Sequence, residues 1–297
     1  MSRTSVWLDT HRLASARADS GSVGRTWTTI ASRLREAQNT DGGFGPRAGM
    51  SSEPEPTALA TIALDDAGGR VWLAERQAPD GSVPFDATNV VNDSATAFAA
   101  VAFDAGDGRE RALDHLEATL ARSVGSTTEV PHDASVHGWA WTEGTFGWVD
   151  PTARAILALR LFRPGAPAID DGIGLLRDRE TAGGGWNYGN RVVFGDDLWP
   201  YAQTTAAALV ALQNVDPELQ ARGVSALRRL WREERDGGLS VAIATAALRL
   251  DGDEDADASE RAMAELFERT AFMGDVVALA WSAIATGPAL TRMVVAR

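Results

Sequence analysis

The sequence predicts an all-α fold, an (α/α)6 toroid in which about six helical hairpins form two concentric rings. Three observations carry this prediction. Two classes of helix alternate along the chain, a glycine-aromatic turn separates them, and the pattern repeats at intervals of some tens of residues. We therefore treat residues 1–297 as a single repeat domain.

The two helix classes differ in charge and in the width of their apolar face. The first class is amphipathic, as in RERALDHLEATLARS and SERAMAELFERTA, so one side of each helix faces water. The second class is alanine-rich and nearly uncharged, as in PTALATIAL and TTAAALVAL, so it is expected to be buried on every side. Charged helices outside and alanine-rich helices inside are what two concentric rings require.

The turns between the two helices are rich in glycine and aromatic residues. Glycine ends a helix by adopting the left-handed conformation that other residues resist. The turns lie at residues 38–45, 77–85, 142–148, 181–189 and 235–239, with a degenerate sixth turn near 273–275. A superhelical solenoid is the competing architecture, but its helices do not usually divide so sharply into exposed and buried classes.

Composition excludes several classes of function. The formal charge of −13 argues against binding nucleic acid, because such proteins concentrate positive charge on one face. There is no cysteine and no lysine, which excludes thiolate nucleophiles, disulfides, cysteine-ligated zinc and lysine Schiff bases. The first residues lack the apolar core of about 7 to 15 residues that a signal peptide needs, so we expect a cytoplasmic, soluble protein.

The turns resemble the glutamine-glycine-tryptophan repeats of the terpene cyclase and protein prenyltransferase β-subunit superfamily. Residues 38–44 (QNTDGGF) and 77–81 (QAPDG) fit best, and GGGWNYGN followed by LWPYAQTTAAALVAL is similar to squalene-cyclase-type proteins. The resemblance implies a toroid whose inner-helix N-termini border a central cavity that takes an isoprenoid. It excludes prenyltransferase activity, which would need a zinc-binding cysteine that this chain lacks.

Two glutamates are the candidate catalytic acids. Class II cyclases protonate an alkene with an aspartate-x-aspartate-aspartate motif followed by threonine-alanine, and the segment 53–58 (EPEPTA) occupies the matching place. The resemblance therefore assigns catalysis to Glu53 and Glu55, although Pro56 replaces the third acid. The alternative is structural, because residues 150–153 (DPTA) repeat the pattern, and proline with an acid suits the first turn of a helix.

The resemblance also predicts the residues that contact a substrate. Carbocations formed in such a cavity need aromatic faces around them rather than water. The predicted substrate-binding residues are Asp93, Trp139, Trp141, Trp148, Asp150, Trp199, Tyr201 and Gln203. The repeat aromatics Phe44, Phe146 and Trp186 are instead expected to brace the outer helices. Because His132 and His137 lack further ligands at a recognisable spacing, we expect no metal and no cofactor.

Three functions are compatible with these residues. The first is a small terpene-cyclase-like enzyme that cyclises a linear isoprenoid by protonation. The second is a non-catalytic toroid that binds an isoprenoid or lipid, or presents its rim to another protein. The third is different chemistry on the same scaffold, which a cavity lined with arginine and carboxylates would favour.

The expected partner is an isoprenoid or another hydrophobic small molecule, with peripheral membrane contact and no nucleic acid. Cyclases of this kind generally place their site between two helical barrels, and this chain has residues for one. A homodimer or a partner chain would then cap the cavity.

Overall fold

The computed structural model describes residues 23–85, 93–123, 125–142 and 144–296. The inner helices are α2 (Pro54–Leu64), α4 (Asp93–Ala102), α6 (Val149–Phe162), α8 (Ala202–Ala211), α10 (Gly238–Asp251) and α12 (Val276–Thr286). The outer helices are α1 (Val23–Glu36), α3 (Ala67–Arg76), α5 (Asp107–Ala118), α7 (Ala168–Asp178), α9 (Pro217–Glu233) and α11 (Ala256–Thr270). Short 3-10 helices cover Ala271–Gly274 and Pro288–Met293. No helix in these ranges is long and apolar enough to cross a membrane.

The inner helices form a closed ring. Each of them contacts the next inner helix along the chain, and α12 contacts α2. The inner helices are buried on all faces, as expected from their alanine content; in α2 the residues from Pro56 to Ala63 are all buried. The outer helices α1 and α9 bury one stripe and expose arginines and glutamates on the other. The predicted all-α (α/α)6 toroid is confirmed.

The helical hairpins of the structure do not coincide with the units of the sequence repeat. We read each unit as an outer helix, a turn and an inner helix, but each inner helix packs more extensively on the outer helix that follows it. The last inner helix, α12, has no such successor and packs on α1 instead. The two ends of the described chain therefore build one hairpin together.

A threonine in the first turn of an inner helix fixes the turn before it. Its hydroxyl oxygen accepts a hydrogen bond from a backbone N–H of the preceding turn, at 2.9 to 3.0 Å. The pairs are Phe44 with Thr57, Val83 with Thr96, Trp139 with Thr152, and Trp186 with Thr205. The threonine of the proline-threonine-alanine pattern thus has a structural role in both units that carry the pattern.

The turn glutamines and tryptophans brace the outer helices. The side-chain amide of Gln77 donates to the carbonyls of Gly81 and Gly108, at 3.0 and 2.8 Å, which ties the turn to α5. The buried indole of Trp186 donates to the carbonyl of Leu176 in α7 at 2.6 Å. These bonds hold successive units in register around the ring.

The fourth unit carries an insertion. The turn aromatic and its threonine are 13 residues apart in the first and third units but 19 apart in the fourth, between Trp186 and Thr205. The added residues form a two-stranded antiparallel hairpin, β1 (Val192–Val193) and β2 (Asp196–Asp197). Phe194 at its tip has φ of 53° and is 78% exposed.

Replacement of Thr152 by valine is expected to destabilise the protein by about 1–3 kcal/mol, because the buried N–H of Trp139 loses its acceptor. Thr152→Ser retains the hydroxyl and is expected to recover most of this loss. Chemical denaturation followed by circular dichroism measures both variants. Equal stability of the valine and serine variants would show that the hydrogen bond contributes nothing.

Candidate functional site

The second residue of five inner helices marks one end of the ring, which we call the mouth. These residues are Glu55 in α2, Asp150 in α6, Gln203 in α8, Leu239 in α10 and Val277 in α12. Four of them line a central cavity, and Glu55 contacts a cavity residue, Arg154. The first turns of the inner helices therefore converge on the ring axis.

The central cavity is narrow and mostly apolar. Its lining consists of Phe98, Asp150, Ala153, Arg154, Leu157, Gln203, Ala207, Val210, Leu239, Ile243, Val277 and Trp281. Its volume is about 20 Å³, which is room for about one water molecule. Phe98 and Trp281 meet edge to face with ring centroids 5.9 Å apart and fill much of the space that the ring encloses.

A buried arginine joins two carboxylates at the mouth. Nη1 of Arg154 lies 2.8 Å from Oε1 of Glu55, and Nη2 lies 2.6 Å from Oδ2 of Asp150. The guanidinium also lies over two aromatic rings, 4.8 Å from the centre of Phe98 and 5.4 Å from that of Trp141. The cluster thus places two carboxylates and one guanidinium at the end of the apolar cavity.

Burial decides how the cluster is protonated. It raises the pKa of Asp150, an effect that Arg154 opposes and the charge of Glu55 reinforces. Burial acts against the charge of Arg154 too, but the two carboxylates outweigh it and raise the pKa of the guanidinium. Arg154 therefore stays charged, and burial favours the protonated form of Asp150.

The two predicted catalytic glutamates have different surroundings. Glu55 is paired with Arg154, and its side chain is 24% exposed. Glu53 directly precedes α2 without capping the helix through its side chain. Partial burial and the charge of Glu55 raise the pKa of Glu53. The helix-start interpretation also fits, because Pro54 begins the helix and Glu55 lies in its first turn. Catalysis by either glutamate stays a prediction.

Several predicted substrate-binding residues do lie at the mouth. Asp150 and Gln203 line the cavity, and Trp141 contacts Arg154. Trp148 stacks against Phe146, with ring centroids 4.8 Å apart.

Tyr201 lies 5.6 Å from Tyr188, ring centre to ring centre, and both are exposed. Burial and the charges of Asp150 and Glu234 raise the pKa of Tyr188, so this tyrosine also borders the cluster.

Other predicted residues lie elsewhere. Trp139 is fully buried and donates from its indole nitrogen to the carbonyl of Leu116 in α5, so it braces an outer helix and does not face the cavity. Trp199 is 60% exposed and lies under the guanidinium of Arg229 in outer helix α9, at 4.8 Å. The side chain of Asp93 lies outside the described residues.

The rim of the mouth is apolar. Among the described residues, nine of the eleven exposed large hydrophobic side chains lie in segments that lead into inner helices. They are Met50, Phe85, Phe146, Tyr188, Phe194, Leu198, Trp199, Tyr201 and Met273. The segments that lead into the inner helices therefore carry most of the exposed large apolar side chains of the described residues.

Sequence reasoning missed three residues of the site, Arg154, Phe98 and Trp281. Each is an exception within its own helix: Arg154 is a charge near the start of an inner helix, and the other two are aromatic residues among alanines. An unusual residue in a uniform buried helix was the available signal.

The described ranges contain no cluster of acids and histidines that could hold a metal ion. His132 and His137 instead direct Nδ1 to the backbone carbonyls of Val130 and Ala121, at 3.0 and 3.2 Å.

Comparison with known proteins places the chain among α/α toroids. No protein-family model matches the chain, and no curated protein matches it. The structure is similar to type II terpene cyclase MstE from Scytonema in complex with merosterolic acid A, with TM-score 0.61, 15% identity, and coverage of 96% of this chain and 100% of that chain.

A protein from Actinoplanes is similar with TM-score 0.57 and 14% identity over 91% of this chain and 99% of that one. An α-1,6-mannanase of Salegentibacter sp. in complex with α-1,6-mannotriose has TM-score 0.55 and 10% identity, covering 89% of this chain and 99% of that one. At these identities the similarities show the toroid fold, which cyclases and glycosidases share.

Proposed function

We propose that the protein is a terpene-cyclase-like toroid that binds an isoprenoid at its mouth and protonates it. One observation carries the proposal: the buried carboxyl of Asp150 lies at the polar end of an apolar, aromatic-lined cavity, beneath an apolar rim. The proposal moves the proton donor from Glu53 and Glu55 to Asp150, the most buried of the three acids.

The cluster meets the two requirements on such a donor. An alkene is a very weak base, so the acid must hold its proton until the substrate arrives and must leave a stable anion behind. Burial raises the pKa of Asp150 and so favours its protonated form, and Arg154 at 2.6 Å stabilises the carboxylate left after transfer. The proton forms a C–H bond as the alkene π bond breaks, and the cation closes a ring and then loses a proton.

The aromatic residues beside the cluster suit a cationic intermediate. Phe98 and Trp141 already lie against the guanidinium of Arg154, and Trp281 lies against Phe98. Aromatic faces attract positive charge without reacting with it. They would act on a substrate cation in the same way.

The small cavity limits how a substrate binds. A volume of about 20 Å³ is far below the roughly 300–1,000 Å³ typical of ligand pockets, so a chain would lie across the mouth with its reacting end near Asp150. Chain length does not argue against the proposal, because the alignment with one MstE structure spans 100% of the MstE chain and 96% of this one.

The proposal is tested by incubating the purified protein with squalene, oxidosqualene and linear prenyl diphosphates, then analysing extracts by mass spectrometry. We expect a cyclised product that Asp150→Asn abolishes and Glu53→Gln only reduces. Circular dichroism checks that both variants fold. Product lost only in Glu53→Gln/Glu55→Gln would return the role to the glutamates. If no product forms but the protein binds an isoprenoid, and Tyr201→Ser weakens this binding, the result would support the non-catalytic binding toroid.

A second candidate, glycoside hydrolysis, rests on the carboxylates themselves. Glu55 and Asp150 contact the same guanidinium and so lie close together, and paired carboxylates are the catalytic groups of most glycosidases. Cleavage of α-1,6-mannotriose, lost in Asp150→Asn and in Glu55→Gln, would favour this candidate over the first.

A further inference from the structure

A groove lies between the outer helices α9 and α11, and none of its lining residues lines the central cavity. Its volume is about 360 Å³, within the roughly 300–1,000 Å³ range of small-molecule sites. The α9 side contributes Trp231, Arg232 and Arg235, and the α11 side contributes Ala258, Arg261, Ala262 and Glu265. We call it the arginine groove.

Among the described residues Arg261 of this groove has no acidic partner, and the repeat explains why. Arg261 is the sixth residue of α11, and the sixth residue of α9 is Arg222. In that preceding unit, Nε and Nη2 of Arg222 each bond a carboxylate oxygen of Glu180 at 2.8 Å. Glu180 follows α7 and links the turn to the next outer helix.

The corresponding acid after α9 is engaged elsewhere. Glu234 accepts from the N–H of Ala202 and from the hydroxyl of Ser240, each at 2.8 Å, so it ties inner-helix starts together. Among the described residues, no acidic oxygen lies within 4.0 Å of a nitrogen of Arg261 or of Arg235. The sixth unit thus keeps the arginine, and the described residues supply no carboxylate that pairs with it.

The remaining groove residues define what would bind there. Arg232 is paired with Asp255 at 2.6 Å, and Glu265 is the one carboxylate lining the groove, which leaves an excess of positive charge. Guanidinium groups bind carboxylates and phosphates through two parallel hydrogen bonds. Ala258 and Ala262 offer a small apolar surface beside them, while the ring of the buried Trp231 lies under the guanidinium of Arg232.

We propose that the arginine groove binds a small organic anion. Its carboxylate or phosphate takes the place that Glu180 occupies against Arg222, and its apolar part lies on Ala258 and Ala262. The groove shares no lining residue with the central cavity, and the proposal does not depend on the proposed function.

The test uses isothermal titration calorimetry of the full chain with benzoate, which has an apolar ring, and with inorganic phosphate, which has none. We expect binding of at least one probe, weakened about tenfold in Arg261→Ala and in Arg235→Ala. Arg35→Ala, which removes an exposed arginine from α1, is the control and should bind as the wild type does. Glu265→Gln should bind more tightly, because it removes the opposing charge. Tighter binding of benzoate than of phosphate would show that the apolar surface takes part.

Two results would overturn the proposal. One is the absence of heat for both probes at millimolar concentration. The other is binding that Arg261→Ala and Arg35→Ala weaken equally, which would show general surface attraction. A further variant, Ala258→Glu, places a carboxylate one helical turn from Arg261 and should block the groove. Undiminished binding in Ala258→Glu would also contradict it.

Discussion

Replacement of Gly81 by alanine is expected to destabilise the protein by about 3 kcal/mol or more, enough to remove much of the stability of an ordinary domain. Gly81 has φ of 90°, and a β-carbon there would lie 2.0 Å from the carbonyl oxygen of Arg111 in α5. Both obstacles are backbone, so no side-chain rotation relieves them. Thermal and chemical denaturation measure the loss.

Gly49→Ala separates the two contributions. Gly49 has φ of 80°, but a β-carbon there meets no atom within 4 Å. Only the left-handed conformation is then unfavourable, and we expect a loss of about 1–2 kcal/mol. If Gly81→Ala and Gly49→Ala lowered the free energy of unfolding equally, the close approach between the second turn and α5 would not contribute to the loss.

Replacement of Arg154 by methionine is the second change with a large expected effect. We expect it to lower the free energy of unfolding by about 3–5 kcal/mol at neutral pH or above. It leaves Asp150 buried without the cation that lies 2.6 Å away in the native protein. Loss of Arg154 destabilises the charge of Glu55 less, because the side chain of Glu55 reaches solvent. Urea unfolding at several pH values measures the effect.

The loss should depend on pH in a defined direction. Burial raises the pKa of Asp150 in the folded protein, and removal of Arg154 raises it further because the opposing charge is gone. Between the unfolded pKa and this higher folded pKa, the folded state binds more protons, so the free energy of unfolding falls as pH rises. Arg154→Met is therefore most stable in acid and loses stability as pH rises through the folded pKa of Asp150.

The double variant Arg154→Met/Asp150→Asn is the control for this pH dependence. It removes the titrating group and should recover much of the stability above neutral pH, with a flatter pH profile. If the stability of Arg154→Met does not change with pH, the buried carboxylate of Asp150 is not the cause of the destabilisation.

Much of the fold was readable from the sequence because the ring imposes two different environments. Alanine-rich segments such as PTALATIAL can be buried on every side, while most charges of segments such as SERAMAELFERTA must reach water, and the structure confirms both classes. Glu260 is the exception in that segment, because it is buried and paired with Arg249. The pairing of α12 with α1 was not readable, because consecutive order in a sequence does not show how a ring closes.

The site was less predictable, since it depends on which face of each inner helix points to the axis. Alanine on every face leaves that direction undefined, so Trp139 was assigned to the cavity although its indole bonds Leu116 in α5. The second position of four inner helices marks the cavity lining, as Asp150 and Gln203 show. The partnership of Glu55 with Arg154 joins helices far apart in sequence and had no local signal.

The contact of α12 with both α2 and α1 has a consequence for how the molecule unfolds. An open array of repeats can fray from its terminal units, because each of those has only one neighbour. In this ring each inner helix lies between two others, so loss of any unit removes two interfaces at once. We expect unfolding in a single concerted transition, and removal of α1 should weaken the entire ring rather than one end of it.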